Sequence, residues 1–216
     1  MTTCDRQAGF TLIEVIVVLA VMGLLLGTAV PLAGAVVQAD KRQEARSELA
    51  NIGQALDSYY YQHGAFPASL RATDFYGVHL QPGVADTGVV DAFGGNQDYL
   101  YATAASPDVA TVYSRGEDGI DSGVLNEEHV IRVYGAVAGA RHTRLLLRVA
   151  AEVLANHIES GGSTSGSWPT VRAACGLGNE YDADGFGTTL QWVDTTLELS
   201  SAGPDRSFGT ADDIKL

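Results

Sequence analysis

The sequence has few basic residues and few cysteines. Its 216 residues include 13 Lys and Arg against 26 Asp and Glu, which gives a formal net charge of −13. A nucleic-acid backbone or an anionic membrane surface needs clustered Lys and Arg, so neither is expected as the main partner. Two cysteines cannot build a disulfide-stapled scaffold. A hydrophobic share of 46% argues against a disordered chain.

Residue patterns typical of an enzyme active site are also missing. The histidines carry no metal-ligand spacing and no accompanying Ser, Cys or carboxylate motif; they are His63, His79, His129, His142 and His157. His63 and His157 fall near the ends of predicted helices, which favours packing or capping roles. Cys175 is interpreted as a buried, inert thiol. We therefore expect a protein that is not an enzyme.

The longest apolar segment covers residues 10–37 and contains a single ionisable residue, Glu14. As a helix it would rise ~42 Å, enough to cross a bilayer core of ~30 Å. The run is too long for an ordinary secretory signal, and Asp5 offsets Arg6 in the segment before it. The sequence predicts a membrane-spanning helix, with signal-peptide cleavage near residues 33–35 as the alternative.

Glu14 does not fit a plain anchor, because a carboxylate within an apolar membrane helix costs on the order of 3 kcal/mol. It follows Gly9-Phe10-Thr-Leu-Ile, and this N-terminal segment closely resembles that of type IV prepilins. The resemblance implies a leader of residues 1–9, cleavage between Gly9 and Phe10 by a prepilin peptidase, and methylation of the new amino group. It also implies that Glu14 pairs with the amino group of a neighbouring subunit and sets the assembly register. The alternative is a Glu that marks the lipid interface of a single-pass anchor.

The basic residues around the apolar run favour the opposite orientation from the one that the resemblance implies. Lys41, Arg42 and Arg46 follow the run, whereas Arg6 alone precedes it, and charge counting would place the leader outside. The prepilin resemblance implies a cytoplasmic leader. Following the resemblance, we expect a single-pass inner-membrane protein whose C-terminal region lies in the periplasm or in an extracellular filament.

A helical pattern continues beyond the apolar run, over residues 38–63. Its apolar stripe recurs at steps of three and four residues, at Ala45, Leu49, Ile52, Leu56, Tyr59 and His63. Gly64 offers a C-terminal stop, and Pro67 follows it. Pro31 lacks a backbone donor and predicts a bend. We expect one helix over residues 10–63, whose first half packs in a membrane or filament core and whose second half packs on a folded domain.

The rest of the chain is rich in turns and short alternating apolar runs, and it repeats itself. The first copy passes from a helix ending at Tyr59-Tyr60-Tyr61 through Phe66-Pro67 and Asp91-Ala92-Phe93-Gly94 to Ser114-Arg115-Gly116-Glu117-Asp118. The second copy passes from a helical pattern at Arg141 to Glu159 through Trp168-Pro169 and Asp184-Gly185-Phe186-Gly187 to Ser201-Ala202-Gly203-Pro204-Asp205. The spacing between corresponding blocks differs between the two copies, and we expect this difference in length to lie in a loop.

These blocks are similar to the globular domain of the major pseudopilin of type II secretion systems, where Asp-Pro-Trp-Gly and Ser-x-Gly-x-Asp-Gly are typical. The resemblance implies an α+β fold, with the long N-terminal membrane-spanning helix packed on a small antiparallel-sheet domain. We assign the first domain to residues 64–139 and a second, similar α+β domain to residues 140–216. Ala92 and Phe93 depart from the family pattern, and the family normally has one such domain. A pilin relative built on the same domain is therefore the alternative.

The C-terminal acidic segment is the candidate metal site. Calcium takes six to eight oxygen ligands, and Asp205, Asp212 and Asp213 offer carboxylates on a backbone that Gly203 and Gly209 allow to turn. The corresponding loop of the similar pseudopilins binds calcium, and the resemblance implies the same for this chain. A solvated acidic turn is the alternative. In the first copy, Asp118 and Asp121 form a weaker calcium candidate, because the Gly-Thr-x-Asp-Asp ending is absent.

The sequence thus predicts a prepilin-type subunit that is cleaved, N-methylated and polymerised into a periplasmic pseudopilus for protein export by type II secretion. The implied partners are a prepilin peptidase and methylase, further copies of the chain, other pseudopilins, an inner-membrane assembly platform and membrane lipid. The alternatives are a pilin of a surface fibre used in adhesion or motility, and an anchored periplasmic binding module that never polymerises.

Overall fold

A computed structural model describes residues 11–105, 108–124 and 129–215, with the backbone alone for residues 26–33 and 85. The chain divides into two compact units, Met1–Glu44 and Ala45–Leu216. The described residues form three α-helices and two antiparallel sheets of three strands each. The predicted mixture of helix and antiparallel sheet, an α+β composition, is confirmed.

Helix α1 runs over Leu12–His63, and its first part belongs to the N-terminal unit. The large apolar side chains from Leu12 to Leu25 are exposed along this part of the helix. The backbone stays helical through Pro31. Among the residues whose side chains the structure describes, no helix is both long enough and apolar enough to cross a membrane. The membrane span over residues 10–37 stays a prediction.

The second part of α1 packs into the core of the larger unit. The predicted stripe is buried at Ala45, Leu49, Ile52, Leu56 and Tyr59. His63 is exposed and instead stacks on Tyr59, with 4.2 Å between the ring centroids. The helix ends at His63, and Gly64 follows at φ 66° with its N–H 2.8 Å from the Tyr60 carbonyl oxygen. This ending matches the stop that the sequence predicted at Gly64.

The first copy contributes a sheet of strands β1 (Leu100–Ala105), β2 (Asp108–Tyr113) and β3 (Val130–Tyr134), with β2 in the centre. Ala110 lies opposite Val133 in the register of β2 and β3. The inward side chains of the sheet pack against α1 in a core that includes Ile52, Leu56, Phe75, Val89, Tyr99, Ala110 and Val112. A short 3-10 helix, Val84–Asp86, lies in the connection that precedes the sheet.

The second copy contains helices α2 (Gly135–Glu159) and α3 (Trp168–Ala174) and strands β4 (Gln191–Val193), β5 (Glu198–Ser201) and β6 (Ile214–Lys215). A short 3-10 helix, Asn179–Tyr181, follows α3. Strand β5 is central, as β2 is in the first copy. The core joins one face of α2 to α3 and the sheet through Leu147, Ala150, Leu154, Trp168, Val171, Leu190 and Leu199.

Helix α2 begins six residues before the predicted start at Arg141, and the predicted domain boundary at residue 140 falls inside it. The first turns are Gly-Ala-Val-Ala-Gly, a sequence with low helix propensity at its glycines. Tertiary packing explains both glycines: a Cβ at Gly135 would meet the Tyr60 ring, and a Cβ at Gly139 would meet the Phe186 ring. Tyr60, Ala138 and Phe186 form a small buried cluster that joins the two copies.

Candidate functional site

Glu14 lies in the first turn of α1, and its side chain is exposed. Its backbone N–H donates to the Thr11 carbonyl oxygen at 3.1 Å. Gly9 and Phe10, the predicted cleavage site, lie outside the described residues, as does the leader over residues 1–9. The pairing of Glu14 with a Phe10 amino group therefore stays a prediction.

The N-terminal unit presents an exposed apolar surface along the residues whose side chains the structure describes. Leu12, Ile13, Leu19 and Leu24 are each more than half exposed. Isolated apolar side chains are common on protein surfaces, but a continuous apolar helix marks a surface that binds protein or lipid. Glu14 is the acidic group that accompanies this surface in the first turn.

The first copy is organised around a buried carboxylate, Asp91, which is 2% exposed. Its Oδ1 accepts hydrogen bonds from the Phe93 N–H at 3.0 Å and the Ser114 hydroxyl at 2.7 Å. Its Oδ2 accepts from the Arg115 N–H at 2.7 Å. Ser114 Oγ in turn accepts from the Gly116 N–H at 3.0 Å. We call this arrangement the first Asp–Ser turn.

The second copy has the same arrangement around Asp184, which is 6% exposed. Its Oδ1 accepts from the Phe186 N–H at 2.9 Å and the Thr188 N–H at 2.8 Å. Its Oδ2 accepts from the Ser201 hydroxyl at 2.6 Å, and Ser201 Oγ accepts from the Gly203 N–H at 3.0 Å. We call this the second Asp–Ser turn.

The two turns explain the repeated Asp-x-Phe-Gly and Ser-x-Gly blocks. Each Asp ties the loop that carries its Phe to the end of the central strand, across 23 residues in the first copy and 17 in the second. A buried carboxylate is tolerated when its oxygens accept several hydrogen bonds, as those of Asp91 and Asp184 do. The two residues are therefore structural, and neither is placed to react with a substrate.

The Asp–Ser turns lead into two acidic loops that begin alike. Asp118 Oδ1 accepts from the Ile120 N–H at 3.0 Å, and Asp205 Oδ1 accepts from the Ser207 N–H at 2.8 Å. The next residue is left-handed in both, Gly119 at φ 68° and Arg206 at φ 57°. Since arginine adopts this conformation at a cost, a side-chain contact is expected to hold it.

Arg206 makes that contact with the first copy. Its Nη2 donates to Asp108 Oδ2 at 2.8 Å, and its Nε donates to the Phe186 carbonyl oxygen at 3.1 Å. The Tyr60 hydroxyl also donates to Asp108 Oδ2, at 2.5 Å. Burial and this hydrogen bond raise the pKa of Tyr60 well above its ordinary range. The second acidic loop is thus attached to the start of β2.

The second acidic loop, residues 203–213, is closed by its own carboxylates. Asp212 Oδ1 accepts from the Thr210 hydroxyl at 2.6 Å, and Asp212 Oδ2 accepts from the Asp205 N–H at 3.1 Å. These hydrogen bonds lower the pKa of Asp212 below its ordinary value, and the bond from Thr210 contributes most. Asp213 Oδ2 accepts from the Gly209 N–H at 2.8 Å, while Asp213 Oδ1 is buried without a hydrogen-bond partner among the described residues.

The predicted calcium ligands are therefore neighbours in one loop, but they are not gathered around one point. Across the described residues, no three His, Cys, Asp or Glu side chains are placed to share a metal ion. Asp118 and Asp121 in the first loop accept instead from the backbone N–H groups of Ile120 and Gly123, each at 3.0 Å. The buried Asp213 Oδ1 is the one feature of the loop that a cation would satisfy.

The histidines and the cysteine occupy places that fit packing roles. His63 stacks on Tyr59, and His157 Nε2 lies 3.2 Å from the Ser163 carbonyl oxygen just beyond the end of α2. Cys175 is half-buried, and burial raises the pKa of its thiol. A raised pKa leaves less of the reactive thiolate, as expected for an inert cysteine.

Sequence reasoning missed two arginines that organise the second copy. Arg206 was passed over because a lone arginine in an acidic loop carries no motif. Arg172 lies on α3, nearly buried, and donates to Asp182 at 2.6 Å, to Asn179 at 2.9 Å and to the Leu177 carbonyl oxygen at 2.7 Å. The helical spacing of α3 could have placed Arg172 beside a core position, but its partners could not be read from the sequence.

Comparison with known proteins gives two kinds of similarity. Residues 4–30 match the family model described as the prokaryotic N-terminal methylation motif. Over 70 residues the chain is 39% identical to the type II secretion system core protein G of Aeromonas hydrophila, which covers 32% of this chain and 48% of that protein. In this match the chain spans about half the length of the curated relative.

Two other relatives with the same description match over more of their length. The protein of Vibrio cholerae serotype O1 is 30% identical over 133 residues, which cover 57% of this chain and 89% of that protein. The protein of Pseudomonas aeruginosa is 28% identical over 135 residues, which cover 58% of this chain and 94% of that protein. No solved structure matches the chain at a comparable level. The resemblance to the major pseudopilins is confirmed.

Proposed function

Since the chain belongs to the family of the type II secretion system core protein G, we propose that it is a structural, non-enzymatic pseudopilin subunit. In this proposal a prepilin peptidase cleaves after Gly9 and methylates the amino group of Phe10. The helix over residues 10–37 holds the subunit in the inner membrane, and the C-terminal region lies in the periplasm. Subunits then polymerise into a pseudopilus that assists protein export, with other pseudopilins and an inner-membrane assembly platform as partners.

The exposed apolar helix with one acid in its first turn carries this proposal. Side chains such as Leu12 and Leu19 need either lipid or a neighbouring helix to cover them. Glu14 follows Phe10 by four residues, so a cleaved Phe10 amino group would lie within one helical turn of it if the helix extended to Phe10. A buried carboxylate and a buried ammonium are tolerated only as a pair, so Glu14 would favour the burial of one subunit beside the next.

The decisive functional test is Glu14→Leu in the full chain. The change should leave membrane insertion intact, because leucine suits an apolar helix, and it should abolish filaments and export. Glu44→Leu is a matched control, since it removes an exposed carboxylate from the same helix outside the apolar run. Filament formation by the Glu14→Leu variant would overturn the polymerisation proposal.

Mass spectrometry of the mature N terminus tests the processing step separately. The expected species begins at Phe10 and carries one added methyl group. A chain that begins at Met1, or one cut near residues 33–35, would exclude processing as a prepilin. A surface-fibre pilin would give the same N terminus but would appear outside the cell, which immunogold labelling of intact cells distinguishes.

We also propose that the second acidic loop binds calcium through Asp205, Asp212 and Asp213, which would have to close around the ion because the structure does not gather them around one point. Carboxylate oxygens are the ligands calcium prefers, and the unpartnered Asp213 Oδ1 supports a cation at this place. Bound calcium would supply positive charge between carboxylates that otherwise repel one another. The loop residues themselves hold the loop closed through the hydrogen bond from the Asp205 N–H to Asp212.

A chelator test separates this proposal from a solvated acidic turn. Removal of calcium should lower the melting temperature of the protein, because a ligand that binds only the folded state stabilises it. Asp213→Ala should abolish that response, whereas Asp194→Ala, an exposed acid in the same copy, should keep it. A melting temperature that does not respond to the chelator would leave the loop as an acidic turn.

A further inference from the structure

A seam between α1 and β3 leaves two open cavities on the surface of the larger unit. Their volumes are about 530 and 200 Å³, and both are lined by Ala50 and Ile131. Tyr134 and Val137 stand beside the larger cavity, with Val137 67% exposed. Exposed aromatic and aliphatic side chains around a cavity are typical of a protein-binding surface.

The charges along this seam are opposite in sign to the rest of the unit. Residues 45–216 hold 22 acids against 10 bases, yet Arg132 lines the larger cavity and Arg46 the smaller one. Within the described part of the chain, neither arginine has an ion-pair partner. Asp57, the acid that lines the larger cavity, is paired with Arg141 at 2.9 Å.

The smaller cavity is also lined by a residue that carries a buried, unsatisfied polar atom. His129 lines it and is 5% exposed, and its Nε2 has no hydrogen-bond partner among the described residues. The seam therefore combines an apolar surface with two arginines that have no ion-pair partner among the described residues. A ligand that fits it would be apolar at its centre and acidic at its flanks.

The first acidic loop has this composition. Ile120 is 62% exposed and lies between Asp118 and Asp121. The Asp118 side chain accepts from the Ile120 N–H, which holds Ile120 in a preformed turn at little entropic cost on binding. Neither Asp118 nor Asp121 has a cationic partner within the described residues. Ile120 is thus an exposed apolar side chain flanked by two acids that have no cationic partner among the described residues.

We propose that the seam is a docking surface for residues 118–121 of a second copy of the chain. Ile120 of one copy occupies the cavity beside Val137, and the flanking acids lie against Arg132 and Arg46. The two surfaces are different patches of one chain, so the contact is head-to-tail and extends into an open filament. This inference rests on the proposed polymerisation, and it assigns to the folded unit a contact separate from that of Glu14.

The test is disulfide cross-linking of the full chain in membranes, in a background with Cys4→Ser and Cys175→Ser. Two differently tagged chains are co-expressed, one with Ile120→Cys and the other with Val137→Cys. A mixed disulfide dimer is expected on oxidation and can arise only between copies. Val84→Cys replaces Ile120→Cys in the control, since Val84 is even more exposed, at 88% against 62%, but lies away from the first acidic loop in sequence. The control should give at least tenfold less dimer.

Charge variants sharpen the result. Arg132→Glu should lower the yield of the mixed dimer at least tenfold, whereas Arg132→Lys should largely keep it. Filaments that remain sensitive to Glu14→Leu but give no more Ile120–Val137 dimer than the control would overturn this inference alone. The absence of any filament would overturn the proposed function and this inference together. Cross-linking of Val137→Cys to a protein of another mass in place of Ile120→Cys would exclude a second copy as the occupant.

Discussion

The first and second copies close the same Asp–Ser turn in different surroundings. In both, a buried aspartate binds a serine hydroxyl at the end of the central strand, at 2.7 Å for Asp91 and 2.6 Å for Asp184. Beyond the serine, the first acidic loop exposes Ile120, whereas the second folds back through Asp212 and attaches to Asp108 through Arg206. The repeated residues thus form the buried Asp–Ser turn of each copy, and the residues that are not repeated determine what each acidic loop contacts.

The largest expected effect is on the shared interior. Asp91→Ala and Asp184→Ala should each lower the free energy of unfolding by about 3 kcal/mol or more, because three hydrogen-bond donors, two of them in buried contacts, lose their acceptor. Chemical denaturation of the purified chain measures both. Asp194→Ala, an exposed acid of the second copy, is the control and should cost less than about 0.5 kcal/mol. Strongly unequal losses would break the equivalence of the two turns.

Two helical glycines give the next largest contrast. At Gly139 a Cβ would meet the buried Phe186 ring and the Gly185 carbonyl oxygen, so Gly139→Ala should destabilise the protein by about 1–3 kcal/mol. At Gly53 a Cβ would meet the tip of Ile131, which is only partly buried and can move. Gly53→Ala gains helix propensity of about 1 kcal/mol, so its net effect should be near zero or stabilising. Equal losses at both sites, measured by the same denaturation, would contradict this comparison.

Arg206 tests the attachment of the second loop to Asp108. Arg206→Ala should cost about 1 kcal/mol, the usual scale for a partly exposed ion pair, and should speed amide exchange over residues 203–213. Arg206→Gly also removes the ion pair but suits the left-handed backbone at φ 57°. It should therefore be more stable than Arg206→Ala by about 1 kcal/mol. The reverse order would mean that the backbone conformation carries no strain.

The smallest effect is a loss of the second loop's closure in acid. The pKa of Asp212 is lowered in the folded protein, chiefly by the Thr210 hydroxyl. A lowered folded pKa gives stability that is present above the ordinary aspartate value and is lost as the pH falls through the folded pKa. Closure should thus persist at neutral pH and disappear below about pH 4. Carboxyl NMR measures this titration, and Thr210→Val should raise the Asp212 pKa; an unchanged pKa would mean that a group other than Thr210 lowers it.

Much of the fold follows from local patterns. The end of α1 at His63 was predictable because the apolar stripe stops there and Gly64 can adopt φ 66°. The start of α2 at Gly135 was not, because its glycines have low helix propensity and are selected by the approach of Tyr60 and Phe186. Tertiary contacts override propensity at such positions.

The candidate sites divide in the same way. The Gly9-Phe10 and Glu14 pattern lies within six consecutive residues, so it could be recognised from the sequence. The matched motif over residues 4–30 contains it. The calcium ligands predicted at Asp205, Asp212 and Asp213 follow from residue type and from the resemblance. Their hydrogen bonds to Ser207, Thr210 and Gly209 depend on loop geometry that neither specifies.

The apolar segment with its single acid, the repeated Asp-x-Phe-Gly and Ser-x-Gly blocks and the excess of acidic residues follow from the sequence alone, because each depends only on composition or on nearby residues. Two contacts are seen only in the folded structure. Arg206 binds Asp108 across 98 positions, and the missing side chain of Gly139 leaves room for the Phe186 ring. Such contacts depend on how elements distant in the chain pack together. Packing is set by the whole core at once, and no short stretch of sequence contains it.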